Sequence, residues 1–130
     1  VIFHVRDAYE DFWPILNNFK NIRGVLHSFT ADKKVLEQGL AKNLYIGLNG
    51  IMTFTKDDNQ LEMAKSVPLE KRVLETDAPY LTPKPFRGKV CRHEHVVNTA
   101  EFLADLRGER VEDLAKHTTV NACDLFNFKG

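Results

Sequence analysis

Short apolar runs alternate with amphipathic stretches along this chain. "VIFHV" (1–5), "IRGVLHSF" (22–29), "LYIGLNG" (44–50) and "KRVLET" (71–76) are brief and rich in β-branched and aromatic residues, which predicts four strands, the first of them buried. Between the first two, Phe12, Ile15, Leu16 and Phe19 recur at helical spacing. Pro14 falls in that stretch and is tolerable only near a first turn, where its missing N–H costs little. Residues 30–43 open on Thr30 or Asp32 as a cap and place Val35, Leu36 and Leu40 on one side of a second helix. Residues 56–67 predict a third, weakly amphipathic helix. A loop at about 77–92 carries Pro79, Pro83, Pro85 and Gly88, and helices follow at about 93–107 and 111–123.

The predicted order is β-α-β-α-β-α-β-loop-α-α. Strands that are apolar throughout suit a parallel sheet covered on both faces, so the class is α/β. Two architectures fit: a small doubly wound sheet, or part of a (β/α)8 barrel. In both, side chains at the C-terminal strand ends gather at the functional face.

Composition narrows the picture. The 130 residues suit one domain, 1–130. Eighteen basic and eighteen acidic residues cancel, which argues against nucleic-acid binding by bulk charge and leaves room for a local basic patch. No apolar run is long enough to span a membrane. Cys91 and Cys123 form no CxxC motif, so a reduced, cytoplasmic setting is expected. The opening on "VIFHV" without a Met reads as the interior of a larger protein.

The predicted strand ends carry the chemistry. His4 ends the first strand, His27 the second, Asn49 and Gly50 the third, and Glu75 with Asp77 the fourth. Glu75 and Asp77 are two apart and share one face of an extended chain. A lone strand histidine is ordinarily a hydrogen-bonded core residue. Two histidines and two acids at successive strand ends point to a metal or catalytic site. Imidazole with carboxylate suits Zn²⁺ or Mn²⁺, and carboxylate alone suits Mg²⁺. The following loop carries Lys84, Arg87, Lys89 and Arg92 without an acid, which suits an anionic, phosphate-bearing substrate. Tyr80 can stack on a base or pack the loop.

As a set, "VIFHVRDA", "GVLHSFT", "LYIGLNGIMTF", "VLETDAPYLTPKPFRGK" and "TTVNACDLF" resemble, in order, the landmarks of the TatD-type deoxyribonucleases, metal-dependent hydrolases on a TIM barrel. The resemblance implies that this chain is the C-terminal half of such a barrel, strands five to eight. The family holds two divalent ions (Mg, Mn or Zn). Its ligands are a His-x-His pair on strand one, a Glu on strand four, a His each on strands five and six, and an Asp on strand eight. His4, His27 and Asp77 match the last three, and Asp77 also orients the attacking water. Glu75 matches a second acid of the same motif, beside metals and substrate. Arg6, Arg87 and Lys89, with Tyr80, are the candidate substrate contacts. The implied substrate is DNA, at single-stranded ends, with RNA for some members. The His-x-His pair and the Glu have no counterpart here, so a missing N-terminal half is needed to complete the barrel, and the isolated 130 residues are expected to be inactive. Where the family commonly has Asn and then Pro after "RGK", this chain has Cys91 and His93, which alters the loop but not the ligands. His93 and His95 point different ways at a helix start and make no second metal site, and His117 packs or is exposed. A half-barrel kept as a nucleic-acid-binding or scaffold domain, and a hydrolase of C–N or ester bonds, are the alternatives.

Overall fold

The computed structural model describes residues 1–129. Strands β1 (Ile2–His4), β2 (Val25–His27), β3 (Tyr45–Leu48) and β4 (Arg72–Leu74) form one parallel sheet in the order β1-β2-β3-β4. Helices α1 (Tyr9–Leu16), α2 (Lys33–Ala41) and α3 (Asp58–Ser66) connect them, and α4 (Val96–Arg107) and α5 (Val111–Phe126) follow. A doubly wound sheet reverses its strand order at a switch point. This order never reverses, so the sheet is the arc of half a (β/α)8 barrel.

Local chemistry sets the helix starts. Asp32 Oδ1 accepts the Val35 N–H at 3.0 Å, and Asp57 Oδ1 accepts the Asn59 N–H at 2.9 Å, each satisfying an amide that a helix start leaves without an intrahelical partner. Gly108 ends α4 in a left-handed conformation that glycine adopts freely.

Strand alternation sorts side chains to two faces. On the outer face Leu26, Ile46 and Leu48 pack with Trp13, Leu36, Met63 and Leu103 under the helices. Each such burial contributes about 1.5–3 kcal/mol. On the inner face Val25, Tyr45 and Val73 pack against Leu125 of α5 and form a floor. Two residues further along, the same face carries His27, Gly47 and Glu75, with His4 on β1. Floor and candidate site are therefore successive layers of one surface.

Three expectations are corrected. β1 is not buried: Ile2 is 60% exposed, because β1 is an edge strand that pairs only with β2. Pro14 lies well inside α1 rather than in its first turn. The helix stops two residues later at Leu16, so few bonds are at stake, and Trp13 and Leu16 are buried on its inner side. Ile15 and Phe19 are exposed, because that buried side turns Ile15 outward and Phe19 lies beyond the helix end.

Nothing in the pattern around Arg72 marks it as buried. It is 2% exposed on β4, and its Nη1 donates to both Glu109 oxygens at 3.1 and 3.2 Å. Arg107 Nε also reaches Glu109, at 2.5 Å. Burial raises the Glu109 carboxyl, but the two guanidinium groups outweigh it and hold the acid below its usual range. Its stabilising contribution is therefore complete above the unfolded value of about 4.3 and is lost as pH falls through the lower folded value. Glu109→Ala leaves a buried arginine without its counter-charge and is expected to cost about 3 kcal/mol in thermal or denaturant unfolding. Glu112→Ala, whose partner Arg110 is exposed at 75%, should cost less than about 1 kcal/mol.

Candidate metal centre

The register places His4 directly beside His27, with ring centroids 5.8 Å apart. β4 ends at Leu74, and the chain then delivers both acids to the same histidine. Glu75 Oε2 lies 3.0 Å from His27 Nδ1, and Asp77 Oδ1 lies 3.3 Å from Nε2. The four candidate ligands and acids read from the sequence therefore meet at one rim. Among the described residues, no three His, Cys, Asp or Glu side chains form a ready metal-binding group.

Glu75 reaches His27 by crossing β3, and Gly47 makes that crossing possible. A Cβ at Gly47 would fall inside the Glu75 carboxyl group. The same Oε2 accepts the Ser28 N–H at 2.9 Å. Burial pushes the Glu75 carboxyl up, while the Ser28 amide and His27 pull it down. One Glu75 oxygen thus holds both the His27 ring and the Ser28 amide.

Two contributors go beyond the sequence reading, which placed Asn49 at a strand end without giving it a role and did not single out Ser28. Asn49 is 2% exposed, and its Nδ2 donates to Ser28 Oγ at 2.7 Å and to Asp77 Oδ1 at 3.3 Å. Its Oδ1 accepts the Ile51 N–H at 3.0 Å, which fixes the amide. An Asn straight after an apolar strand was the available signal. Ser28 adopts φ 51°, a left-handed conformation costing a non-glycine residue about 1–2 kcal/mol. Asp7, at φ 51°, and Leu81, at φ 54°, share it. All three line one cavity of about 330 Å³ beside His4.

The cations are less uniform than the sequence suggested. Arg6 is exposed and lines this cavity. Arg87 stacks on Phe54 at 3.8 Å and donates to the Thr82 carbonyl at 2.9 Å, so it holds the loop together. Lys89 is exposed, with Nζ 5.6 Å from the Phe86 ring. Tyr80 is 73% exposed, just past the turn in which its N–H donates to the Asp77 carbonyl at 2.7 Å. Cys91 is buried, and its N–H donates to the Pro79 carbonyl at 3.0 Å, folding the loop back toward that turn. His95 stacks on Phe86 with centroids 5.1 Å apart and accepts the Arg92 N–H, capping the turn that leads into α4, and His117 is exposed.

These residues fit a divalent cation. His27 Nδ1 faces Glu75 and Nε2 faces Asp77, so each ring nitrogen meets a carboxylate. A lone pair and a carboxylate 3.3 Å apart repel unless a proton or a metal ion satisfies both. A carboxylate on the remote histidine nitrogen is also the usual support for a ligating imidazole. Gly47→Ala should force Glu75 off His27 and cost about 1–3 kcal/mol of stability. Nitrogen-detected NMR of His27 should show a changed Nδ1 signal; an unchanged spectrum would refute the coupling.

Comparison with known proteins identifies the family and the fold. The family model for TatD related DNase matches residues 1–127. The chain is 42% identical over 129 residues to a metal-dependent hydrolase of Escherichia coli, YcfH, covering 98% of this chain and 49% of that protein. It is 36% identical over 137 residues to the 3'-5' ssDNA/RNA exonuclease TatD of Erwinia tasmaniensis, covering 98% and 52%. The crystal structure of the TatD homologue YjjV from Escherichia coli superposes with a TM-score of 0.90 at 27% identity, over 99% of this chain and 50% of that one. The chain spans about half the length of the curated relatives it matches. With a family match that runs from the first strand to the last helix, this chain belongs to the TatD related DNase family.

Proposed function

We propose that this chain supplies one side of a metal-dependent hydrolase site that cleaves phosphodiester bonds of DNA, as an exonuclease at single-stranded ends, with RNA as a second substrate. The observation that carries the reading is His27 held between Glu75 and Asp77, with His4 in register beside it. His4, His27 and Asp77 would hold the ions, two per complete site. Bound there, divalent metal supplies an activated water and charge stabilisation for the scissile phosphate.

The chain's own residues divide the rest. Glu75 is a positioning residue: it fixes the His27 ring so that Nε2 faces the rim. Asn49 steadies Asp77 through Oδ1, leaving the carboxylate's second oxygen to ligate or to steer a proton. Arg6 and Lys89 contact phosphate oxygens, with Arg87 holding the loop that presents Lys89. Tyr80, exposed beyond Asp77, offers a stacking face. The name of the Erwinia tasmaniensis relative, a 3'-5' ssDNA/RNA exonuclease, supports the choice of substrate. The remaining ligands of a two-metal site belong to the other half of the barrel, so the isolated 130 residues are inactive.

The test uses the full-length protein that carries this chain. Hydrolysis of single-stranded oligonucleotides should vanish with chelator and return with Mg²⁺, Mn²⁺ or Zn²⁺. Asp77→Asn should lower kcat roughly 10²–10⁴-fold with an unchanged melting temperature. Nucleic-acid binding that survives chelation without turnover would instead favour a scaffold. Robust, chelator-sensitive cleavage by the isolated 130 residues would contradict the assignment of missing ligands.

A further inference from the structure

A larger cleft, of about 680 Å³, lies at the end of the sheet opposite the rim. Its wall is built by residues that lead into the strands: Arg23 two positions before β2, Leu44 just before β3 and Lys71 just before β4. Leu16 and Lys42, from the C-terminal ends of α1 and α2, close it. Its volume lies within the range of small-molecule pockets, roughly 300–1,000 Å³. In a barrel this face carries stability rather than catalysis, so the chemistry of the rim does not account for a charged cleft here.

Three cations line the cleft against one acid. Asp124 already pairs with Arg23 at 2.5 Å and accepts the Tyr45 hydroxyl, and it acts on Lys71 only at longer range. Among the described residues, neither Lys42 nor Lys71 forms an ion pair. Each ammonium instead rests over a ring, Lys42 Nζ 5.6 Å from the Trp13 centroid and Lys71 Nζ 4.4 Å from that of Tyr45. Each also donates once to a neutral oxygen, Lys42 to Asn17 Oδ1 and Lys71 to the Asn43 carbonyl at 3.4 Å. Two of the three N–H groups on each remain for a ligand. The rings therefore hold two positive charges in place without neutralising them. The C-terminal ends of α1 and α2 bring about half a negative charge each, which leaves the two ammonium groups in excess. Phe19, 59% exposed, and Ile22 line the same cleft and set apolar surface beside the charges. A bare inorganic ion would leave that surface wet, whereas an organic anion covers it.

We propose that this cleft binds a phosphomonoester dianion, with its phosphate between Lys42 and Lys71 and its organic part against Phe19 and Ile22. A monoester approaches two negative charges above its second pKa of about 6, and a diester carries only one, so a pair of ammonium groups favours the monoester. Hydrolysis at the rim turns diester into monoester, which makes the reaction's product a natural occupant. That link rests on the phosphodiesterase reading of the rim, and the binding itself does not.

The test titrates phenyl phosphate into the metal-stripped full-length protein and follows backbone amides by NMR, with methyl phenyl phosphate, a diester, and inorganic phosphate as parallel probes. Phenyl phosphate should move the amides of Lys42, Asn43 and Lys71 and leave those of His27 and Asp77 in place. It should bind more tightly than inorganic phosphate, and roughly fivefold more tightly than the diester, which has one charge fewer. Acidifying through about pH 6 should bring the monoester down to the diester's affinity. Lys42→Gln and Lys71→Gln should each weaken binding roughly threefold to fivefold. Lys42→Arg and Lys71→Arg keep the charge and should retain it, and Asp77→Asn should bind like the parent. Four results would each overturn the proposal: no binding of phenyl phosphate, shifts centred on the rim, a diester or inorganic phosphate that binds as tightly, or glutamine variants that lose stability but bind like the parent. The last would show that the two lysines serve only the helix ends. The expected binding pattern in a protein that hydrolyses no oligonucleotide would uphold the cleft and sink only its link to the rim.

Discussion

The clamp on His27 is the contact on which the rest of the rim depends. An imidazole with a carboxylate at each nitrogen cannot rotate, and its two faces of chemistry are fixed in advance. The clamp needs three strands in register: β2 for the histidine, β4 for the acids, and β3 to be bare between them. Gly47 provides the bareness, at some cost in backbone entropy within a strand. The Ser28 amide completes the seat of Glu75, and its left-handed backbone belongs to the same construction.

That construction is stabilised from behind. The outer face of the sheet carries the main apolar core, while the inner face holds only a small floor of Val25, Tyr45, Val73 and Leu125. Tyr45 donates its hydroxyl to Asp124, which pairs with Arg23 at 2.5 Å, so α5 is tied to the strands from below. Asn121 on the same helix donates to the Leu69 and Arg72 carbonyls, both at 2.8 Å. Rim strain is tolerable because the layer beneath it is held by packing and by these polar ties.

The two ends of the sheet carry different kinds of charge. Arg72 and Glu109 are opposite charges committed to each other behind β4. At the rim both acids face one histidine, Glu75 at Nδ1 and Asp77 at Nε2, so two carboxylates converge on a single imidazole. The first arrangement pairs one cation with one anion, and the second gathers two carboxylates around a ring that can carry at most one positive charge.

The sequence by itself determined the class, the order of elements and the set of strand-end residues. Those depend on local periodicity and on side chains that are costly to bury without a partner. His4, His27, Glu75 and Asp77 were legible for that reason, and Asp32 was legible as a cap. Tertiary structure alone decided the partnerships. That Glu75 serves His27 depends on the absence of a side chain at Gly47, on a neighbouring strand. That Asn49 reaches Asp77 and Ser28, that Arg72 is buried, and that Arg87 is spent on Phe54 depend on contacts between residues 21 to 37 positions apart. The exposure of β1 likewise follows from its place at the sheet edge, since the apolar character of "VIFHV" is the same in a central strand and in an edge one.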